Sequence, residues 1–256
     1  MFTVENLSAS YNGKKVFGDI SFSLKENSIT ALCGMNGSGK STLLSLMSGI
    51  VHPSLRICGG IFLDGKNILL QKPKDTAKKI SYLVQDENPA WNVTVEKVVD
   101  CGRFAHRKWY ELTSPGDRKI IDGAMELLSI SELRDRPVST LSGGEYQRTR
   151  IARSFAQETD YIFLDEPLAS VDITHQRNLL DILRDLCRKG KTVCISIHDI
   201  NLASQFSDQM ILMRNDRSGI FHGPSNEMMS NDFLRPTYGK DFQIFTHPVT
   251  GKKQIW

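Results

Sequence analysis

The sequence predicts an α/β fold with a mostly parallel sheet and a small helical insertion, and three observations carry that prediction. Short apolar runs alternate with segments of helical periodicity, the pattern of helices packed on a parallel sheet. A glycine-rich octapeptide, Gly34-Met35-Asn36-Gly37-Ser38-Gly39-Lys40-Ser41, joins an apolar run to a helix-forming segment. From about residue 93 to 136 the strand-like runs stop, and apolar residues recur only at helical spacing.

Within the first 70 residues, short strands with turn signals are expected. Residues 2–7 alternate roughly, Tyr11-Asn12-Gly13-Lys14 turns, and residues 20–24 alternate strictly. Residues 28–33 are more apolar, as in a strand buried on both faces. A helix over 42–47 follows the glycine-rich loop, then a short strand at 61–63 that ends at Asp64-Gly65, and another at 80–84. In the insertion, Val95, Val98 and Val99, then Ile120, Ile121, Ala124, Leu127 and Leu128, lie on helical faces. A helix from Ser142 to about Gln157 precedes a strand at 161–164 and a helix over 176–188. A strand at 192–197, a helix from about Ile200 and a strand at 210–213 complete the alternation. Near the end, a short helix at 226–229 and a hairpin turning at Pro248-Val249-Thr250-Gly251 are expected.

At 256 residues the chain suits one full-sized domain, or one with an inserted subdomain. Apolar residues at 40% and charged residues at 24% exclude collagen-like and wholly disordered classes. The net charge of +3 neither demands nor forbids a nucleic-acid or membrane-surface partner. No apolar run reaches the roughly eighteen residues a bilayer span needs, and the first residues lack the order of a secretory signal. Five cysteines with no Cys-x-x-Cys spacing argue against a disulfide framework or a zinc site. The expectation is a soluble intracellular protein with reduced thiols.

The octapeptide fits G-x-x-x-x-G-K-[ST], which average residue usage produces by accident in roughly one chain in a hundred of this length. Its context, a strand entering and a helix leaving, is that of a phosphate-binding loop. Glycines let successive N–H groups point inward around phosphate oxygens, at the positive end of a helix. Asn36, Gly37, Ser38, Gly39, Lys40, Ser41 and Thr42 are therefore candidate nucleotide contacts, with Lys40 on the β/γ-phosphates and Ser41 on Mg²⁺. The apolar residues 161–164 end in Asp165-Glu166, and alternation along a strand would send these two carboxylates to different tasks. Asp165 suits a Mg²⁺ shell, and Glu166 suits orienting or deprotonating an attacking water. Leu141-Ser142-Gly143-Gly144-Glu145 opens a helix, with Ser142 a natural N-cap and two glycines exposing N–H groups to an anion. It has no lysine and is no second independent nucleotide pocket.

Together, Tyr11, the lysine loop, Gln85 after Tyr82-Leu83-Val84, the Ser142-Gly143-Gly144 signature, Asp165-Glu166, Asp172 and His198 resemble the nucleotide-binding subunit of ABC transporters over nearly the whole chain. Taken singly, Tyr11 reads as a turn aromatic, Gln85 as a surface glutamine and His198 as a strand-end histidine; their combined placement overturns those readings. The resemblance implies a P-loop NTPase core with an N-terminal antiparallel β subdomain and an inserted α-helical subdomain. It also implies boundaries: residues 1–86 and 151–230 for the core with its β subdomain, 87–150 for the helical subdomain, and 231–256 for a C-terminal extension. It implies that Tyr11 stacks on adenine beside Val16, that Gln85 senses Mg²⁺ and the γ-phosphate, and that His198 holds the γ-phosphate. Ser142, Gly143 and Gly144 would close over ATP held by a second subunit, with Asp172 in the loop across that interface. Two departures, Met35 where proline is frequent and Pro167-Leu168-Ala169-Ser170-Val171-Asp172 where Thr and Ser more often precede Ala-Leu-Asp, remove no side chain with an assigned role.

Three further segments, Cys101-Gly102-Arg103-Phe104-Ala105-His106, Asp172-Ile173-Thr174-His175-Gln176 and Thr246-His247-Pro248-Val249-Thr250-Gly251, resemble the ATPases of iron-chelate importers of siderophore, haem or cobalamin type. The implied protein is an ATP- and Mg²⁺-dependent ATPase that works as a homodimer at the cytoplasmic face of the inner membrane. Its partners would be integral-membrane permease subunits and, indirectly, an extracytoplasmic substrate-binding protein, with no nucleic acid expected. The permease would dock in a groove between Gln85 and the helical insertion, including Asp86 to Trp91 and the segment around Arg103. Rival readings are a soluble ABC ATPase acting on nucleic acid or ribosomes, whose paired domains, coiled coils or zinc modules are not visible in the sequence, and a P-loop kinase. A kinase would need neither the signature nor His198.

Overall fold

In the computed structural model, which describes residues 1–85, 87, 93–108, 110–169 and 172–256, the chain opens with a β-hairpin. Strands β1 (Phe2–Tyr11) and β2 (Lys14–Ser23) turn at Asn12-Gly13, both left-handed at φ 47° and 79°, as a tight hairpin turn requires. After the buried strand β3 (Ile29–Cys33) come the glycine-rich loop and helix α1 (Lys40–Met47). Strand β4 (Leu55–Leu63) returns to pair antiparallel with β1, and the two-residue β5 (Lys66–Asn67) completes a sheet of order β2-β1-β4-β5.

Helix α2 (Pro73–Ala77) leads into β6 (Ile80–Leu83), after which the helical insertion supplies α3 (Val95–Asp100) and α4 (Pro115–Leu127). Helix α5 (Gly143–Ala156) returns the chain to the main sheet. Four units then follow: β7 (Tyr161–Leu164) with α6 (Ile173–Arg188), β8 (Thr192–Ser196) with α7 (Ile200–Phe206), β9 (Gln209–Met213), and β10 (Ile220–Pro224) with α8 (Ser225–Met228). Helix α9 (Asn231–Tyr238) and the hairpin β11 (Ile244–Thr246) and β12 (Lys253–Ile255) end the chain. The main sheet has order β10-β9-β3-β8-β7-β6; every pairing is parallel except β10 with β9.

Every residue of β3, β7 and β8 is buried, which is what a sheet covered on both faces demands. Alternation divides their side chains between two cores. Ile162 and Leu164 face a core built with α5, α6 and the helical insertion, while Tyr161 and Phe163 face one shared with α1 and the antiparallel sheet. The strand carrying the glycine-rich loop lies inside this sheet, flanked by β9 and β8.

Several expected boundaries are corrected. Helix α6 begins at Ile173, not 176, because the Asp172 side chain caps it by accepting from the Thr174 and His175 N–H groups. Strand β4 begins at Leu55, not 61, and runs on through Gly59, which lies against β1 where a Cβ would sit 2.2 Å from the Asn6 carbonyl oxygen. The short elements α2 and β10 were not expected, nor was α9, which carries Pro236 inside it.

Candidate active site

The loop after β3 uses three glycines at positive φ: Gly34 at 153°, Gly37 at 75° and Gly39 at 103°. Two of these also have no room for a side chain. A Cβ at Gly34 would lie 2.9 Å from both Ser38 Oγ and Met213 Cβ, and one at Gly39 would lie 2.8 Å from Val16 Cγ1. Lys40 opens α1 and folds back over the loop, its Nζ donating to the Gly34 and Met35 carbonyls at 3.0 and 3.2 Å. An ammonium has three donors, so one stays available for a phosphate. Burial lowers the Lys40 pKa, and the charges of Glu166 and Asp165 oppose that shift.

Strand β7 ends at Leu164, so strand alternation is not what separates the two carboxylates. Glu166 has φ 48°, and this backbone turn divides them. Asp165 is buried at 1% exposure, with Oδ1 accepting from Ser196 Oγ at 2.7 Å and Oδ2 left without a hydrogen-bond partner. Beside it, burial and the Asp165 charge push the Tyr82 phenol upward. The same Ser196 hydroxyl accepts the Glu166 N–H at 2.7 Å and so ties both residues to the end of β8. The Glu166 carboxylate then enters the cleft, where Gln85 Nε2 donates to Oε2 at 2.8 Å and His198 Nε2 lies 2.6 Å from Oε1.

These groups share one cleft of about 470 Å³. It brings together Tyr11, Val16, Asn36, Gly37, Gly39, Lys40, Ser41, Thr42, Gln85, Glu166 and His198. Ser38 is buried behind the loop with its Oγ unpartnered, and Asp165 lies beneath the cleft floor. Tyr11 stands edge-on to His52, ring centroids 5.6 Å apart. Sequence reasoning missed Lys14, Lys15 and Arg217, which line the same cleft. The lysines follow the hairpin turn directly, a readable signal; Arg217, in the β9–β10 loop, gave none. It also missed Arg150 of α5, which donates to the Val84 and Gln85 carbonyls and so holds the backbone from which Gln85 projects.

Ser142, Gly143, Gly144 and Asp172 do not line this cleft. Ser142 caps α5 in a reciprocal box: its Oγ accepts from the Glu145 N–H at 3.3 Å, and Glu145 Oε2 accepts from the Ser142 N–H at 2.8 Å. A Cβ on Gly143 would meet nothing within 4 Å. The chain's own fold thus gives that glycine no steric reason to be one.

Comparison with known proteins gives this arrangement a family. The family model for ABC transporters matches residues 17–169. The chain belongs to the ABC transporter family. Among curated ABC proteins it is 36% identical over 251 residues to the iron(3+)-hydroxamate import ATP-binding protein FhuC of Bacillus subtilis, covering 98% of this chain and 92% of that one. It is 38% identical to the petrobactin import ATP-binding protein YclP of the same species, covering 96% of each. The hemin import ATP-binding protein HmuV of Nocardia farcinica is 32% identical, with 98% and 85% covered. Among solved structures, an inward-facing ABC transporter assigned to the metal-chelate type superposes with a TM-score of 0.83 at 26% identity, covering 100% of this chain and 96% of that one.

Within this ABC chain, the segment 101–106 is divided: Gly102 and Arg103 are packing residues, while Cys101, Phe104 and His106 are exposed. A Cβ on Gly102 would lie 2.3 Å from the Arg153 carbonyl oxygen. Arg103, at the centre of the segment expected to dock, is 6% exposed: Nε donates to Asp117 Oδ1 at 2.8 Å and Nη1 to the Ala156 carbonyl at 2.9 Å. Burial of a guanidinium is tolerated only with such partners, so the Arg103 side chain joins the insertion to α5, while its neighbours Phe104 and His106 stay exposed. Of the expected docking segment, Asp86 and residues 88–91 lie outside the described residues; Glu87 pairs with Arg153 at 2.6 Å.

Proposed function

We propose that this chain is the ATP-hydrolysing subunit of a membrane importer for an iron chelate of the siderophore or haem class, acting as a head-to-tail dimer beneath a permease. The observation that carries the reading is the Glu166 carboxylate, held between Gln85 and His198 in the cleft that Lys40 enters. ATP is bound with its phosphates in the glycine loop and its base toward Tyr11 and Val16. Both Glu166 oxygens are engaged, so accepting a proton from water needs one contact released. If His198 Nε2–H turns its hydrogen bond from Glu166 to a γ-phosphate oxygen, with no proton transferred, Oε1 is left to orient and deprotonate the attacking water.

The donors present also fit Mg²⁺. Asp165 Oδ2 is a buried carboxylate oxygen with no hydrogen-bond partner, and Ser41 and Gln85 add hard oxygen donors at the cleft. Asp165, Ser41 and Gln85 would hold the ion, which when bound neutralises charge on the β- and γ-phosphates.

Dimerisation is supported by the signature residues: they stand outside the chain's own cleft, and Gly143 is open to an approaching phosphate. Transport needs a separate permease if no helix beyond the described residues crosses the membrane, since none among them is long and apolar enough to do so; on this reading the subunit works peripherally, at the cytoplasmic face. The cargo reading rests on the ferric-hydroxamate, petrobactin and hemin relatives, matched almost end to end.

The test is twofold. Purified protein should hydrolyse ATP, and Lys40→Ala should abolish tight ATP binding; unchanged affinity removes the loop assignment. Deleting the gene should lower uptake of one iron chelate, and the Glu166→Gln form should fail to restore it. Unaltered uptake of every iron chelate refutes the cargo.

A further inference from the structure

Helix α7 is only seven residues long, too short to be stable by itself in water, so its neighbours set its position. It matters because it begins two residues after His198, whose side chain is 48% exposed and meets Glu166 across the cleft. Asp199 caps the helix, its Oδ1 accepting from the Asn201 and Leu202 N–H groups at 2.8 and 3.1 Å. From the same first turn, Asn201 points outward to the C-terminal hairpin. Its Nδ2 donates to the Ile255 carbonyl at 3.0 Å, and its Oδ1 accepts from the Ile255 N–H at 2.8 Å. One side-chain amide thereby completes the two-bond pairing that a neighbouring strand would give.

One turn further on, Ser204 Oγ donates to the Lys253 carbonyl at 2.6 Å. The Lys253 N–H donates to Asn226 Oδ1 at 2.9 Å, which fixes the hairpin to α8. A two-stranded hairpin is marginal alone. Helix and hairpin therefore hold each other, and Asn201 is the joint nearest the cleft.

We infer that Asn201 is a positioning residue: through its paired bonds to Ile255, the C-terminal hairpin fixes the first turn of α7 and so sets His198 against Glu166. The inference rests on the ATPase reading above. The C-terminal segment, assigned no task by the cleft itself, thereby acts on the step that uses His198. ATP binding through the glycine loop does not depend on it.

The test uses the full-length chain with ATP and Mg²⁺, and wild-type turnover abolished by Lys40→Ala establishes the underlying reading first. If wild type does not hydrolyse ATP, that reading fails, not this inference alone. Asn201→Ala should lower kcat about tenfold, since ångström-scale misplacement of a reacting group costs up to about a hundredfold. KM for ATP should stay within about twofold. In a His198→Ala background, Asn201→Ala should cost nothing further, because the two act through one group. Asn201→Asp keeps the acceptor and loses the donor, and should give an intermediate loss; it carries the test if the alanine variant does not fold. Ser204→Ala loosens the same hairpin away from His198 and should lower Tm with kcat within about twofold of wild type. Unchanged kcat in both Asn201 variants, equal losses with and without His198, or an equal kcat loss in Ser204→Ala overturns the inference and leaves the hairpin a structural brace.

Discussion

Replacing Gly39 by alanine isolates the physical demand of the phosphate loop. Two independent costs follow from the geometry. At φ 103° and ψ 12° an L-residue is strained, and such conformations cost about 1–3 kcal/mol. The new Cβ would also lie 2.8 Å from Val16 Cγ1 and 3.1 Å from Phe17 Cδ1. Phe17 is fully buried and has nowhere to retreat, so overpacking adds about 1–3 kcal/mol. A combined loss of about 4 kcal/mol corresponds to a Tm lower by about 8–16 °C in a chain of this size. Gly37→Ala is the internal control: φ is 75°, but its Cβ would meet nothing within 4 Å, so only the conformational cost applies. Calorimetry of both variants should show Gly39→Ala falling about twice as far as Gly37→Ala. Because Val16 lines the cleft, Gly39→Ala should also weaken ATP binding in a nucleotide titration. Equal Tm losses in the two variants, or a Gly39→Ala loss under about 3 °C, would refute the steric argument.

Glu166→Gln keeps the shape and one acceptor oxygen but loses the carboxylate. Phosphate release should slow about 10²–10⁴-fold with ATP binding retained, and near-wild-type turnover excludes Glu166 as the base. Gly143→Asp should leave stability unchanged within about 0.5 kcal/mol in urea denaturation, because its Cβ has open space, yet abolish turnover by placing a negative charge against the partner's phosphates. Mixed with Lys40→Ala subunits, it should leave one intact composite site per heterodimer, since both defects fall in the other site; heterodimers with no single-site ATP occupancy refute the head-to-tail arrangement. Burial pushes the Asp117 carboxyl up, but hydrogen bonds from Arg103 and Ser114 outweigh it and hold the pKa at about 2. A depressed folded-state pKa means stability that is fully present above about pH 4 and is lost as pH falls toward 2. Asp117→Asn should therefore cost about 2–3 kcal/mol at neutral pH and converge with wild type only as pH falls below about 2, read by urea denaturation. A pH-independent difference refutes the ion-pair account.

The elements that were legible in the sequence are those whose signal is local. The buried strand β7 is a continuous apolar run, β3 and β8 are mostly apolar, and α5 announces itself with Ser142 and Glu145, which close a capping box in the fold. Helix α9 was illegible because Pro236 reads as a breaker, and β10 because its partner β9 supplies the pairing that Ile220-Phe221-His222-Gly223-Pro224 does not advertise. The burial of Arg103 was illegible for a related reason: an arginine with exposed neighbours reads as surface until Asp117, fourteen positions on, is brought against it.

By itself the sequence determined the chemistry on offer, because a phosphate loop needs glycines at set spacing next to a lysine, and that requirement is met within eight consecutive residues. The parallel sheet followed for the same kind of reason, from apolar runs too uniform for one-sided burial. Only the tertiary structure decided how distant residues divide the work. Asp165 goes under the cleft and Glu166 into it because Ser196, on a neighbouring strand, binds both and Glu166 turns through a positive φ. Gln85 and His198 reach one carboxylate from the ends of different strands, and Asn201 finds Ile255 fifty-four positions later. These pairings are set by packing between elements, and a contact whose partners lie far apart along the chain leaves no periodicity in either segment to announce it.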